Sequence, residues 1–303
     1  MFDQSGETKV EEFIPKQLSA ELFIGRLRGG SQPILVQASD DQLYVVKFQD
    51  NPQGPNVPFN ESLGSALYGA CGLNVPSWAA MEISDSFLDR HPECWFWTED
   101  HYHRPKAGWC FASRYQGMGE SKVLEVLSRS MFSRIRDRQN FWKAWFLDIL
   151  CEHCDHRQTL FLRTETGELD PVFFDHGHLF GGPTGDTTPK VLASRFLDTR
   201  IYVDINLEGC NQIAHLIESL HQEKLHRIVA NLPQEWVTPS AIGQFHQLLI
   251  RLSDGSLIAN VSDYLRHSCY QISGELSEQR KSAYAERYTG SILPACLSGI
   301  RYA

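Results

Sequence analysis

Long hydrophobic runs are missing from this sequence of 303 residues. No apolar stretch approaches the ~20 residues that a membrane-spanning helix needs, and residues 1–5 lack the basic and apolar regions of a signal peptide. These absences predict a cytoplasmic protein with no membrane partner. In that compartment the eight cysteines should be reduced, and we expect most of them to be buried.

A basic surface is missing as well. The chain has 28 lysines and arginines against 37 aspartates and glutamates, which gives a net charge of −9. Proteins that bind nucleic acid present a basic face to the phosphates, so direct binding of nucleic acid is not expected. A small local site can still be basic on an acidic protein, so the charge leaves a nucleotide possible as a ligand.

Motifs of nucleophilic hydrolysis are also absent. The sequence has no Gly-x-Ser-x-Gly elbow, and nothing distinguishes one cysteine from the others as a nucleophile. We therefore do not expect a serine or cysteine hydrolase.

The order of the predicted elements indicates an α+β fold with two lobes. Strand patterns come first, at 33–38, 43–49, 77–84 and 109–115, together with a single helical pattern at 61–71. Helical patterns dominate afterwards, at 122–129, 138–154, 190–197, 210–221, 224–232 and 241–251. Such segregation is typical of α+β proteins. We divide the chain into an N-terminal tail (1–20), a β-rich N-lobe (21–116) and a helical C-lobe (117–303), with a hinge near 116–120.

A glycine-containing loop precedes the first predicted hairpin. Gly29, Gly30 and Ser31 follow a short apolar run. Glycine allows close backbone approach and positive φ, so several N–H groups can face an anion. The loop could therefore contact phosphate, although a simple turn between strands explains it equally well.

Lys47 lies inside a predicted strand, between Val46 and Phe48. A buried ammonium group needs an anionic partner. Glu61, in the first turn of a helix that we expect Asn60 to cap, could be that partner and hold the lysine against an anionic ligand. Two alternatives stay open: Lys47 could lie on an exposed edge, and Glu61 could interact only with the helix dipole.

Asp155 and Asp175 lie 20 positions apart, each at the end of an apolar run. The strands predicted at 159–162 and 171–174 can form a hairpin within a segment at 151–182. That hairpin would bring both carboxylates to the same end of a small sheet, an arrangement suited to metal and phosphate.

These features together match the requirements of phosphoryl transfer. The reaction needs a glycine-containing loop over the phosphates, a lysine held by a glutamate, one aspartate that orients the acceptor hydroxyl and another that binds Mg²⁺. The sequence supplies all of them in that order, so we predict phosphoryl transfer.

The residues that carry this prediction also resemble the HipA-like kinases, relatives of bacterial toxin serine/threonine kinases and, more distantly, of phosphatidylinositol kinases. The resemblance covers about residues 20–185. It rests on three stretches: Val45-Val46-Lys47-Phe48 with Asn60-Glu61, Asp155-His156-Arg157-Gln158-Thr159-Leu160-Phe161, and Phe174-Asp175-His176-Gly177-His178-Leu179-Phe180-Gly181-Gly182.

The resemblance implies a bilobal protein-kinase-like fold in a bacterial enzyme that uses ATP and Mg²⁺. By this likeness Lys47 contacts the phosphates, Glu61 is its ion-pair partner, Asp155 is the catalytic base and Asp175 is a metal ligand. Ser31 occupies the position of a serine that the toxin kinases autophosphorylate. The implied reaction transfers the γ-phosphate of ATP to a serine or threonine hydroxyl, on this chain or on an unknown protein.

One position departs from the family pattern. The toxin kinases carry an asparagine, a ligand of the second metal, where this sequence has Leu160, which cannot bind a metal. Gln158 is the nearest replacement, since its amide oxygen is a plausible ligand. If Gln158 does not reach the metal, the chain would be a weakened nucleotide-binding pseudokinase that regulates or binds a partner.

A zinc site is a further, less favoured alternative. Cys151 and Cys154 have a spacing that suits zinc, with His153, His176 and His178 nearby. Structural zinc sites usually show a second such pair, and this sequence has none. Cysteine is also a common small apolar residue on a buried helix, as this segment is predicted to be.

Overall fold

The computed structural model describes residues 15–117, 123–185, 195–202, 212, 216–217, 220 and 222–288. Within these ranges none of the helices combines the length and apolar character that crossing a bilayer requires.

The N-terminal part is a closed five-stranded barrel. Its strands are β1 (Lys16–Arg26), β2 (Ile34–Ala38), β3 (Leu43–Lys47), β4 (Trp78–Ile83) and, later in the chain, β7 (Gly108–Arg114). They are ordered β1-β2-β3-β7-β4, and the barrel closes because β1 also pairs with β4 in parallel. The predicted hairpin and the two later strands are confirmed. The predicted tail at 1–20 is wrong for residues 16–20, which belong to β1; residues 1–14 lie outside the described part.

Between β4 and β7 the chain adds small elements at one end of the barrel. They are helix α2 (Asp85–Arg90) and a hairpin of two short strands, β5 (Phe96–Trp97) and β6 (Tyr102–His103). Inside the barrel, alternate residues of its strands form a separate apolar core that includes Ile34, Val36, Val46, Met81 and Ala112.

Helix α1 (Val57–Ala70) crosses the middle of the molecule. Every residue from Val57 to Ser65 is buried, so this part of the helix has no face in contact with water. The helix begins before the predicted start at residue 61, because Pro58 fits the first turn, where its missing N–H is not needed. The predicted capping role of Asn60 is therefore wrong.

The C-terminal part combines a small sheet with helices. Strands β8 (Val123–Leu124), β9 (Gln158–Arg163) and β10 (Leu169–Phe174) form an antiparallel sheet in the order β10-β9-β8. The helices are α3 (Gln139–Leu150), α4 (Gln222–Ala230), α5 (Pro239–Ser253) and α6 (Gly255–Tyr288). The hairpin predicted within 151–182 is confirmed as β9–β10.

Some predicted helices are wrong. Residues 123–124 of the helix predicted at 122–129 form strand β8, whose pairing with β9 overrides the local helical pattern. The helix predicted at 138–154 ends at Leu150, and α6 was not predicted. The helices predicted at 224–232 and 241–251 are confirmed as α4 and α5. Those at 190–197 and 210–221, and the hinge beyond Gly117, lie largely outside the described residues.

One large apolar core joins the two parts of the molecule. It contains Phe59, Leu63 and Leu67 of α1, Phe111 of β7, and Trp142 and Trp145 of α3. The architecture is therefore α+β, with a β-rich N-terminal part and a helical C-terminal part, as the sequence predicts. Helix α1, which the sequence assigns to the N-lobe, packs in the core common to both parts.

Candidate active site

A cleft of about 510 Å³ separates the barrel from the β9–β10 hairpin. This volume lies within the roughly 300–1,000 Å³ of typical small-molecule sites. All the residues predicted to form a functional site line this cleft: Gly29, Gly30, Ser31, Lys47, Glu61, Asp155, Gln158 and Asp175. The structure thus brings together residues from five separate stretches of the chain.

Lys47 is held between two carboxylates. Its Nζ lies 2.5 Å from Asp175 Oδ1 and also bonds Glu61 Oε1. The other Glu61 oxygen accepts a hydrogen bond from the backbone N–H of His176 at 3.0 Å. β3 ends at Lys47, α1 carries Glu61, and Asp175 directly follows β10, so three elements meet at this ammonium group.

The charges of this cluster depend on one another. Burial acts to lower the pKa of Lys47, but attraction to Asp175 and Glu61 outweighs burial and raises it. Burial acts to raise the pKa of Asp175, but the Lys47 ammonium lowers it to about 2. Burial raises the pKa of Glu61, and Lys47 offsets only part of that rise. Two carboxylates against one ammonium leave this end of the cleft rich in negative charge, which favours a cation.

Asp175 adopts a backbone conformation that is unusual for a residue other than glycine. Its φ is +62°, in the left-handed region where aspartate and asparagine are tolerated better than most residues. Such conformations persist where the surrounding structure fixes them, and they concentrate at functional sites. Here the bonds to Lys47 and Gln158 fix the carboxylate on both sides.

Gln158 lies beside Asp175 because of the register of the hairpin. Gln158 pairs with Phe174 across β9 and β10, and its Nε2 donates to Asp175 Oδ2 at 2.6 Å. The two predicted metal ligands are thus neighbours. Carboxylate and amide oxygens are the ligands that Mg²⁺ accepts, usually through one or two protein groups plus phosphate and water. Rotation of the Gln158 amide would present its oxygen on the same side as the carboxylate.

Asp155 lies in the turn before β9 and is half-buried. Its Oδ1 accepts a hydrogen bond from the backbone N–H of His156 at 2.7 Å. No lysine or arginine of the described residues forms an ion pair with it, and it lines the cleft.

The glycine turn is compact. Gly29 has φ +138°, and its carbonyl accepts from the backbone N–H of Gln32 at 3.0 Å. A Cβ at Gly30 would lie only 2.8 Å from Gln53 Nε2, so this position has room for glycine alone unless Gln53 moves. Ser31 is buried, and its carbonyl accepts from Asn51 Nδ2 at 3.1 Å.

A buried polar network beneath the two aspartates was not predicted. Arg157 donates from Nε to Asp148 Oδ2 at 3.1 Å and from Nη2 to the Tyr68 hydroxyl at 3.1 Å. Its Nη1 donates to the carbonyl of Phe174 at 3.0 Å. Arg157 thereby joins the turn that holds Asp155 to the strand end that holds Asp175. A charged residue inside the apolar run of α3 was the available sequence signal.

Asn60 has a role that sequence reasoning missed. Its Nδ2 lies 3.0, 3.0 and 3.1 Å from the carbonyl oxygens of Gly177, Leu179 and Gly182. The residue predicted to cap α1 instead fixes the segment that follows Asp175.

The geometry does not favour zinc. Burial raises the pKa of the Cys151 thiol well above its usual value and that of Cys154 to about 11, so both groups are neutral thiols in the metal-free chain. Across the described ranges, no group of three or more His, Cys, Asp or Glu side chains is placed to hold a metal ion. Cys71, Cys94, Cys110 and Cys151 are buried, Cys154 is half-buried, and all five are free thiols.

No model of a known protein family matches this sequence, and neither does any curated protein. Solved structures do match the fold. The proinflammatory kinase CtkA of Helicobacter pylori is 14% identical, with a TM-score of 0.53, and the match covers 82% of this chain and 98% of that one. The Golgi casein kinase is 9% identical, with a TM-score of 0.49, covering 85% and 72%. Its structure with Mn/ADP bound is 9% identical, with a TM-score of 0.46, covering 82% and 73%. The match to CtkA shows that this chain has a kinase-like fold, which confirms the predicted fold class.

Proposed function

We propose that this chain is a HipA-like kinase, which binds ATP with Mg²⁺ in the cleft and transfers the γ-phosphate to a serine or threonine hydroxyl. The observation that carries the proposal is the position of Lys47, which is held between Glu61 and Asp175 in a cleft also lined by the glycine turn and Asp155. Phosphoryl transfer needs little covalent chemistry from the protein, so positioning and charge are the main contributions.

Each group in the cleft has a task in this proposal. The backbone of Gly29 to Ser31 and the Lys47 ammonium bind the phosphates, while Asp175 and Gln158 hold Mg²⁺. The metal neutralises charge on the phosphates when it is bound. Asp155 accepts the proton of the acceptor hydroxyl as the oxygen of that hydroxyl bonds to the γ-phosphorus. The bond from that phosphorus to the bridging oxygen then breaks, and ADP leaves.

Leu160 favours a second candidate function. It lines the cleft with an apolar side chain at the position where the toxin kinases have a metal-binding asparagine. With fewer metal ligands the chain would bind a nucleotide and transfer phosphate slowly or not at all. It would then act as a regulatory pseudokinase. In both candidate functions the further partner is an unidentified protein, which either supplies the hydroxyl or responds to the bound nucleotide. In both, the protein acts in the bacterial cytoplasm.

The test measures intact mass after incubation with ATP and Mg²⁺, alone and with a generic serine-rich protein. The variants are Asp155→Ala and Asp175→Asn, because asparagine also tolerates positive φ and so preserves the backbone at residue 175. Asp170→Asn is the control, since Asp170 lies on β10, the strand that leads to Asp175, but pairs with Arg136 and does not line the cleft. We expect phosphate on the wild type or the added protein, the same with the control, and none with either cleft variant.

A second measurement separates the two candidates. A ligand that binds only the folded state stabilises it, by about 2.7 kcal/mol at 100 times the dissociation constant. A rise in the melting temperature with ATP and Mg²⁺ but no transfer would select the pseudokinase. No rise and no transfer would overturn the assignment of this cleft to a nucleotide.

A further inference from the structure

The glycine turn is attached on its outer side to the β5–β6 hairpin. Gln32, the residue after Ser31, donates from Nε2 to the carbonyl of Trp97 at 2.7 Å. Its Oε1 accepts from the backbone N–H of the same Trp97 at 2.8 Å. The side-chain amide thus pairs with the main chain of β5 through two hydrogen bonds, as a neighbouring strand would.

Arg26 strengthens this attachment from the other end of the loop. Its Nη1 donates to Gln32 Oε1 at 3.1 Å, and its Nη2 donates to the carbonyl of Glu93 at 3.0 Å and to that of Trp95. The loop itself is closed by the bond from the N–H of Leu27 to the carbonyl of Pro33, at 2.9 Å. Both ends of the glycine turn are therefore tied to residues 93–97.

The backbone at Gln32 requires such support. Its φ is +45°, a left-handed conformation that costs free energy for a residue with a side chain. The backbone N–H of Gln32 also donates to the Gly29 carbonyl, and this hydrogen bond closes the glycine turn. The side-chain bonds to Trp97 therefore maintain the conformation that gives the turn its shape.

We propose that Gln32 is a positioning residue for nucleotide phosphates, which it serves by clamping the glycine turn to the β5–β6 hairpin. This inference rests on the proposed nucleotide site. If the clamp orients the N–H groups of Gly29 to Ser31, its loss weakens binding of the phosphates and leaves binding of the nucleoside portion unchanged. A merely structural role would weaken both together.

The test compares dissociation constants for ATP with Mg²⁺ and for adenosine, measured calorimetrically on the full chain. Gln32→Ala removes the side-chain hydrogen bonds and keeps a residue for which positive φ is unfavourable. Gln32→Gly removes the same bonds but adopts positive φ without that cost. The matched control is Gln49→Ala, because Gln49 also bonds a main-chain carbonyl in this lobe, that of Ala107 at 2.8 Å, but does not belong to the glycine turn.

We expect both Gln32 variants to bind ATP about tenfold more weakly, as the loss of a few hydrogen bonds predicts, with adenosine binding unchanged. Gln49→Ala should keep the wild-type ratio of the dissociation constants for ATP and adenosine. If the wild type binds no ATP, the proposed function itself fails. Wild-type binding with unchanged ATP affinity in both variants would refute the clamp alone, as would an equal loss for ATP and adenosine.

Discussion

At the residue scale, two buried histidines lie beside the aspartates of the cleft. Burial, more than any neighbour, lowers the pKa of His153 and of His176 well below 6.5. Nη1 of Arg157 faces His176 Nδ1 at 3.3 Å. Since the guanidinium can only donate, that nitrogen accepts and the ring is neutral. Neither nitrogen of His153 has a well-aligned hydrogen-bond partner among the described residues, although its Nδ1 lies 3.3 Å from Asp148 Oδ1.

These histidines predict a dependence of stability on pH. Below about pH 6.5 the unfolded chain binds protons at these positions and the folded chain does not, so unfolding becomes more favourable as the pH falls. Each histidine contributes a slope of up to about 1.4 kcal/mol per pH unit. In urea denaturation from pH 7.5 to 5, we expect His153→Leu to lose less stability on acidification than the wild type does.

His101→Gln is the control for this experiment, because His101 is exposed and its replacement should leave the wild-type slope intact. If plots of the free energy of unfolding against pH were parallel for the wild type and His153→Leu, His153 would be protonated in the folded state as readily as in the unfolded one.

The composition of the cleft could be predicted at this scale because its residues occur in short motifs of fixed order. The buried residues that hold the cleft residues in place could not be predicted. Asp148 and Arg157 are nine positions apart, but the third member, Tyr68, comes from a helix 80 residues before Asp148. A contact between separate elements leaves no local pattern in either of them, so only the charged residue within an apolar run gave a hint.

At the scale of elements, α1 packs so closely on the segment after Asp175 that a helical glycine becomes necessary. A Cβ at Gly64 would lie 2.6 Å from His176 Cβ and from Leu179 Cδ1. Gly243, inside α5, has nothing within 4 Å of the same position. Both glycines reduce helix propensity, but only one makes room for a neighbour.

We therefore expect opposite effects from the same substitution. Gly64→Ala should destabilise the protein by about 1–3 kcal/mol through overpacking, while Gly243→Ala should stabilise it by up to about 1 kcal/mol through helix propensity. Urea denaturation measures both. A stabilising Gly64→Ala would mean that α1 can move away from the Asp175 segment.

The strands of the two clear hairpins and of β4 and β7 were predicted at this scale, whereas β1, β5, β6 and β8 were missed. Alternating apolar residues and clear turns defined β2, β3 and the β9–β10 hairpin. The start of α1 was placed too late because Asn60 matches the preference for capping residues, whereas it bonds three carbonyl groups across the interior. Propensity cannot distinguish these uses of asparagine, because a cap accepts through the amide oxygen and these contacts are donated by the nitrogen of the same side chain.

At the scale of the whole molecule, the shared core makes the two parts depend on each other. α1 contributes Leu63 to the core that contains Trp142 and Trp145, and Asn56, next to that helix, bonds Gln244 of α5 at 3.0 Å. Neither part can lose its structure without exposing apolar surface of the other.

We expect a single cooperative thermal transition, with equal calorimetric and van't Hoff enthalpies. Leu63→Ala should lower the stability of the entire protein by about 2–5 kcal/mol without splitting that transition. Leu22→Ala, at a residue 47% exposed on the barrel, should have little effect. Two resolved transitions in the wild type would show that the parts unfold independently.

The long separation of Lys47 and Asp175 has a consequence for biosynthesis. The two residues are 128 positions apart, so at ~5–20 residues per second a ribosome adds Asp175 about 6–26 s after Lys47. During that interval α1 has emerged without the C-terminal residues that cover it. Phe59, Leu63 and Leu67 are therefore synthesised before the residues that cover them, and apolar surface left uncovered in this way favours aggregation until the cleft can form.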